Sequence, residues 1–308
     1  MRASAYHRPV LVAEVMSYLL GESGLYLDGT VGGGGHGAEL LARCPECTLL
    51  AVDRDREALE AARARLAPYG GRVRFAHVSF RDVGEDPELR AEGFAGALLD
   101  LGVSSRQLDS DARGFTFRRG VALDMRMDAE AGLDAAGFLA TASGTELSRA
   151  LRAGDAPRAS ALAARIVRRR RAQPPQTSDD LVGALESVLG RRARHAEKAR
   201  LFQAIRIRVN GEMEALRDGL PSIRDALRPG AAFVIISYQS VEDRMVKRAF
   251  REWSDPYRGL PPRLPVRASE SGALGSVLTR KPVTPGRDEI AANPRAKPAR
   301  LRAWRCAA

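Results

Sequence analysis

Short, nearly unbroken apolar runs alternate with amphipathic stretches through the N-terminal third of the chain. Leu25-Tyr26-Leu27, Thr48-Leu49-Leu50-Ala51-Val52-Asp53, Val73-Arg74-Phe75-Ala76 and Phe94-Ala95-Gly96-Ala97-Leu98-Leu99-Asp100 predict four strands. The stretch from Arg56 to Leu66 has helical spacing, with Asp55 placed to cap it and Pro68 and Gly70-Gly71 placed to end it. Strands this apolar, separated by helices, predict a parallel sheet covered on both faces. After Asp100 the alternation stops. Helical patterns at 145–153, 159–171 and 179–189, the last ended by Gly190, predict an inserted helical domain over 107–200. A long helix from His195 through Glu214 follows, then a strand at Ala231–Tyr238 after Arg228-Pro229-Gly230, and a helix at Val241–Trp253. Residues from Pro256 to Gly275 read as a loop, and Gly275–Arg280 as part of an edge hairpin. The expected organisation is a mixed α/β fold with a mostly parallel, doubly wound sheet built from 1–106 and 201–308 around the insertion.

Sheets of this kind bind ligands beyond the carboxyl ends of their strands. Asp28, Asp53 and Asp100 all fall at such ends, and Ser79-Phe80 follows the third strand. Between the first strand and its helix lies Asp28-Gly29-Thr30-Val31-Gly32-Gly33-Gly34-Gly35-His36-Gly37, whose glycines let the backbone turn sharply and approach a ligand. Asp53 lies roughly 20 residues further on, where such folds place the acid that binds a ribose. The glycines do not keep the G-x-G-x-x-G frame of dinucleotide sites. That favours S-adenosylmethionine, which has a ribose and an adenine but no pyrophosphate.

At 308 residues and 44% hydrophobic, the chain can bury a large core. No run is long enough to span a membrane, and Met1–Arg8 lacks the apolar segment of a secretory signal, so a cytoplasmic location is expected. Cys44, Cys47 and Cys306 make a disulfide framework unexpected, and Cys44-Pro45-Glu46-Cys47 reads as two free thiols beside a turn. The net charge of +11 is unevenly spread: between Arg158 and Arg208 there are twelve Arg and one Lys against two Asp and two Glu. A basic field this concentrated, with Arg168-Arg169-Arg170-Arg171 at its centre, points to a nucleic-acid partner.

Several longer motifs occur in order: the glycine turn ending at His36, Asp53-Arg-Asp55, Leu98-Leu-Asp-Leu-Gly-Val-Ser-Ser105 with Gln107-Leu108-Asp109, Arg113-Gly-Phe-Thr-Phe117, Leu123-Asp-Met-Arg-Met-Asp128, Phe202-Gln-Ala-Ile-Arg-Ile-Arg-Val-Asn210, Val241-Glu-Asp-Arg244 and Asn293-Pro-Arg-Ala296. Together they resemble the bacterial MraW (RsmH) family over nearly the whole chain. These are S-adenosylmethionine-dependent enzymes that methylate the N4 amine of a cytidine in small-subunit (16S) ribosomal RNA. The resemblance implies a Rossmann-like class I methyltransferase fold. It places Gly34, Gly35 and His36 at the methionine end of the cofactor, Asp53 at the ribose and Phe80 near the adenine, with Asp100 and Gln107 completing the pocket.

Cytosine N4 is a poor nucleophile because its lone pair is delocalised into the ring. An acceptor must take its N–H hydrogen bonds while it attacks the sulfonium methyl in line. Asp100 is the candidate. The aromatic residue that often follows such an acid in amino-methyltransferases is missing here; Phe115, Phe117 or Tyr238 could hold an extruded base instead, with ordinary packing as the alternative for each. Arg126, Asn210 and Arg244 are further substrate candidates, with an internal polar network as the alternative for Asn210 and for Glu242-Asp243-Arg244. Asp124 and Asp128 are assigned to a structured loop rather than to a metal, since methyl transfer from a sulfonium needs no Lewis acid. Two departures from the family pattern concern base handling: Tyr238-Gln239 stands where Phe-His is usual, and Ala153-Gly154-Asp155-Ala156 where Tyr-Gly-Glu-Glu/Asp is usual. The competing functions are a noncatalytic RNA-binding assembly factor and a DNA cytosine-N4 methyltransferase. A homodimer is left open.

Overall fold

A computed structural model describes residues 9–257 and 272–308. Most of the loop expected at Pro256–Gly275 and all of Met1–Arg8 lie outside the described residues. The chain divides into two compact units, one formed by 1–102 with 215–308 and the other by 103–214. These boundaries differ from the 107 and 200 expected from the sequence.

The first unit contains a seven-stranded sheet. Its strands are β1 (Leu25–Asp28), β2 (Thr48–Asp53), β3 (Val73–His77), β4 (Phe94–Asp100), β5 (Leu227–Ser237), β6 (Gly275–Val277) and β7 (Arg300–Cys306). The spatial order is β3-β2-β1-β4-β5-β7-β6. The first five strands are parallel, whereas β7 runs antiparallel to both β5 and β6. The chain proceeds outward from β1 through β2 to β3, then returns to place β4 on the other side of β1. The topological switch point therefore lies between β1 and β4, where open α/β sheets bind ligands.

Every residue of β1 and the first six of β4 are buried. Successive side chains go to opposite faces. Tyr26, Leu49, Ala51 and Leu98 enter one core with the helix Val12–Leu19, while Leu25, Leu27, Leu50, Val52 and Leu99 enter the other with Phe250, Trp253 and Trp304. The Trp304 ring stands 5.4 Å from Trp253, edge to face, and its indole N–H donates to Ser254 at 3.0 Å. Asp55 caps the helix Arg56–Leu66 by accepting from the Glu57 amide, as its position predicts.

The second unit is helical. Helices Ala135–Thr141, Gly144–Ala153, Ala159–Arg169, Ser178–Leu189 and His195–Asn210 surround a core that includes Leu139, Leu147, Leu151, Leu162, Ile166, Leu181, Leu185 and Phe202. Its extended structure among the described residues is limited to a bridge between Ala122 and Thr177.

Two expectations need correction. The helix from His195 does not run through Glu214. It ends at Asn210 on Gly211, whose φ of 58° is left-handed and stops the hydrogen-bond ladder, and a new helix, Glu212–Asp225, begins at once. Cys44 and Cys47 form a disulfide rather than two free thiols. The turn that carries them is closed by Arg72, whose guanidinium donates to the carbonyls of Leu41, Cys44, Pro45 and Cys47. The four arginines of Arg168–Arg171, at the centre of the basic field, do not share one environment. Arg169 pairs with Asp180 at 2.8 Å and Arg170 donates to the carbonyls of Leu139 and Ala142, leaving Arg168 and Arg171 exposed. No helix among the described residues is long and apolar enough to cross a membrane.

Candidate active site

The carboxyl ends of β1, β2 and β4 bring Asp28, Asp53 and Asp100 to one edge of the sheet. Asp28 is 3% exposed and accepts from the Thr30 amide at 3.3 Å. Burial pushes its carboxyl up to about 8, against the lowering effect of the Thr30 amide, with Asp100 and Asp53 adding repulsion. Burial likewise raises Asp53 to about 6, although the amides of Asp55 and Gly32 donate to its two oxygens at 2.9 Å each. Carboxylates held this way are costly to ionise without a compensating charge. A cation seated among them would lower that cost, and S-adenosylmethionine, with its sulfonium and ammonium groups, fits this donor set.

The glycine turn is shaped by packing as well as by access. Gly32 and Gly34 take left-handed φ values of 51° and 74°. A Cβ on Gly34 would press on Ala62 and Leu66, and one on Gly35 would fall 2.9 Å from Pro9. On Gly32 a Cβ would meet nothing closer than the Thr30 carbonyl at 3.9 Å. Within the turn, then, Gly34 and Gly35 let the helix Gly35–Arg43 pack closely, and Gly32 leaves open space while its amide holds Asp53.

Asp100 is held through both its backbone and its side chain. Its amide donates to Thr30 Oγ1 at 2.6 Å, and its Oδ1 accepts from the Tyr238 hydroxyl at 3.0 Å. His36 Nδ1 lies 3.9 Å from its Oδ2. The other ring nitrogen, Nε2, is 2.9 Å from the Val10 carbonyl and must donate there, because a carbonyl only accepts. His36 therefore has a fixed ring orientation with Nδ1 toward Asp100. Tyr238 is held in turn: its amide and that of Gln239 donate to Glu242, which caps the helix Ser240–Trp253. Burial, followed by the nearby Asp100 charge, raises the Tyr238 hydroxyl well above its ordinary value, so it stays a neutral donor.

The remaining candidates divide. Phe80 starts the short helix Phe80–Val83 and is 9% exposed, with its ring against Gly219. Arg244 is exposed, whereas the adjacent Asp243 is buried and paired with Arg302 at 2.6 Å. In the helical unit, Gln107 completes a capping box with Ser104. Phe115 is buried in that unit's core, and Phe117 packs edge-on against His195 and Phe202. Phe115 thus offers little ring surface to a base. Arg126 is drawn onto Asp124 by two hydrogen bonds of 3.0 and 2.8 Å. Asn210 is a clamp rather than an open substrate contact: it accepts from the Met127 amide and donates to the carbonyls of Met125 and Arg206. It fixes a loop in which Met125 has a left-handed φ of 61°. The sequence offers Tyr238 as a surface for a base or as a packing residue, and does not show its bond to Asp100. The signal was its position directly after β5, the parallel neighbour of β4.

Comparison with known proteins bears on this geometry. The model of the MraW methylase family matches residues 4–306. The ribosomal RNA small subunit methyltransferase H of Gemmatimonas aurantiaca is 48% identical over 309 residues, covering 99% of this chain and 97% of that protein. The protein of the same name from Symbiobacterium thermophilum is 42% identical, covering 97% and 96%. A solved rRNA methylase from Streptococcus thermophilus aligns over 96% of this chain and 94% of its own, with a TM-score of 0.42 and 11% identity. With its motifs, its strand-end acids and a match along nearly its whole length, this chain belongs to the MraW methylase family.

Proposed function

We propose that this protein transfers the methyl group of S-adenosylmethionine to the N4 amine of a cytidine in 16S ribosomal RNA, within the small ribosomal subunit. The observation that carries the proposal is the rim of Asp28, Asp53 and Asp100, with Asp100 Oδ1 held by the Tyr238 hydroxyl and the His36 ring 3.9 Å from Oδ2. S-adenosylmethionine supplies, when bound, an electrophilic methyl group on a sulfonium sulfur. Asp53, steadied by two backbone amides, is the residue to bind the ribose hydroxyls. Gly34, Gly35 and His36 would lie along the methionine end and Phe80 by the adenine. Asp100 accepts an N–H of the cytosine amine, localising the nitrogen lone pair and aligning it for attack; such proton-handling groups contribute about 10²–10⁴ in rate. The exposed arginines of the helical unit, Arg168 and Arg171 among them, suit the phosphate backbone of RNA. The names of the relatives support rRNA of the small subunit as substrate.

Calorimetric titration with S-adenosylmethionine tests the cofactor half of this reading. Wild type is expected to bind, and Asp53→Ala, still folded by circular dichroism, to bind at least tenfold more weakly. Absence of binding to wild type would favour a noncatalytic RNA-binding assembly factor. Methylation of duplex DNA in preference to small subunits would favour a DNA enzyme.

A further inference from the structure

The Tyr238 hydroxyl does one thing in this structure that a phenylalanine at the same place would not: it donates to Asp100 Oδ1 at 3.0 Å. The bond spans neighbouring parallel strands. Asp100 ends β4 and Tyr238 follows the end of β5, with Asp100 in register with Ile236. Both partners are fixed from behind, Asp100 through its amide on Thr30 and Tyr238 through its amide on Glu242. The ring also packs beside Gly102, where a Cβ would come to 3.6 Å from Tyr238 Cδ2. A carboxylate that has to accept a hydrogen bond in one direction gains from having its rotation about Cβ–Cγ stopped, and a neutral donor on one oxygen does that.

We propose that Tyr238 is a positioning residue for methyl transfer, acting through Asp100: its hydroxyl engages Oδ1 and sets the plane of the carboxylate that receives the substrate amine. This rests on the role given to Asp100 in the preceding section. It assigns Tyr238 to Asp100 rather than to a stacking contact with the base, and it makes the hydroxyl a feature of this chain, where Tyr238-Gln239 replaces the usual Phe-His.

The test is a double-mutant cycle on the full chain with small subunits and S-adenosylmethionine, using Tyr238→Phe, Asp100→Asn and the combination. Tyr238→Phe is expected to lower kcat about tenfold, with KM for either substrate within about twofold and an unchanged melting temperature. In the Asp100→Asn background the same change is expected to have no further effect. A normal kcat for Tyr238→Phe, or a second full tenfold loss in the Asp100→Asn background, would overturn the proposal. A ¹³C carboxyl spectrum of the free protein is read alongside, because it does not depend on turnover. The Asp100 resonance is expected to move in Tyr238→Phe, and a resonance that stays put would also overturn it. Should that resonance move while wild type methylates no substrate, the hydrogen bond would stand and the reaction assigned to this site would fall, carrying the positioning role with it.

Discussion

Asp28 is buried at the end of β1 with a carboxyl pushed up to about 8, mainly by desolvation, whereas in an unfolded chain it would titrate near 4. Between those values the folded protein holds a proton that the unfolded chain has lost. Stability therefore falls as pH rises through this window, and the full penalty is present above about 8. Asp53, raised to about 6, adds to the same trend over a narrower range. Asp28→Asn keeps an oxygen for the Thr30 amide and cannot ionise. Its melting temperature without ligand should match wild type near pH 4 and exceed it progressively toward pH 8.5, while its affinity for S-adenosylmethionine falls. A melting-temperature difference that is flat with pH would contradict this account of the rim. At this scale the sequence was partly legible. Asp53 and Asp100 could be found because strand ends are visible in the apolar pattern. For Asn210 an internal polar network was one of the two readings, but its partners Met125 and Met127 could not be named, because they lie more than eighty positions away in the chain.

The arginine run shows how elements redistribute charge. The helix Ala159–Arg169 ends inside it, so its members face different directions. Arg170 reaches the carbonyls at the end of the helix Ala135–Thr141, groups that the helix itself cannot satisfy. Arg170→Ala should cost about 1–3 kcal/mol of unfolding free energy, read from denaturant midpoints. Arg168→Ala and Arg171→Ala should each change stability by less than about 0.5 kcal/mol and lower the salt slope of RNA binding by roughly one. Equal destabilisation by all three would contradict the division. β7 was missed for a related reason. Arg300 and Arg302 break the apolar signature, yet Arg302 is buried and bound through two hydrogen bonds to Asp243 on the helix Ser240–Trp253. A strand whose inward position is filled by a paired charge does not read as a strand. By contrast β1, β2 and β4, covered on both faces, were plain from their apolar runs alone.

For the molecule as a whole, the sheet unit is assembled from two sequence segments and the helical unit is the chain between them. The change from alternating strands and helices to helices alone made that insertion visible. Its far boundary lay beyond the expected one, because Leu201, Phe202, Ala204 and Ile205 of the helix His195–Asn210 pack into the helical core. The net charge of +11 suits a polyanionic substrate, and the acids at the sheet's rim suit a cationic methyl donor. In the proposed reaction this rim delivers a methyl group to a cytosine amine. Transfer of isotopically labelled methyl from S-adenosylmethionine to purified small ribosomal subunits, mapped by mass spectrometry to the nucleotide and atom, decides whether it does. Wild type is expected to place the label on N4 of a cytidine in 16S rRNA, and Asp100→Asn, still folded, to transfer at least a hundredfold more slowly. Label on any other atom, or full transfer by Asp100→Asn, would contradict it.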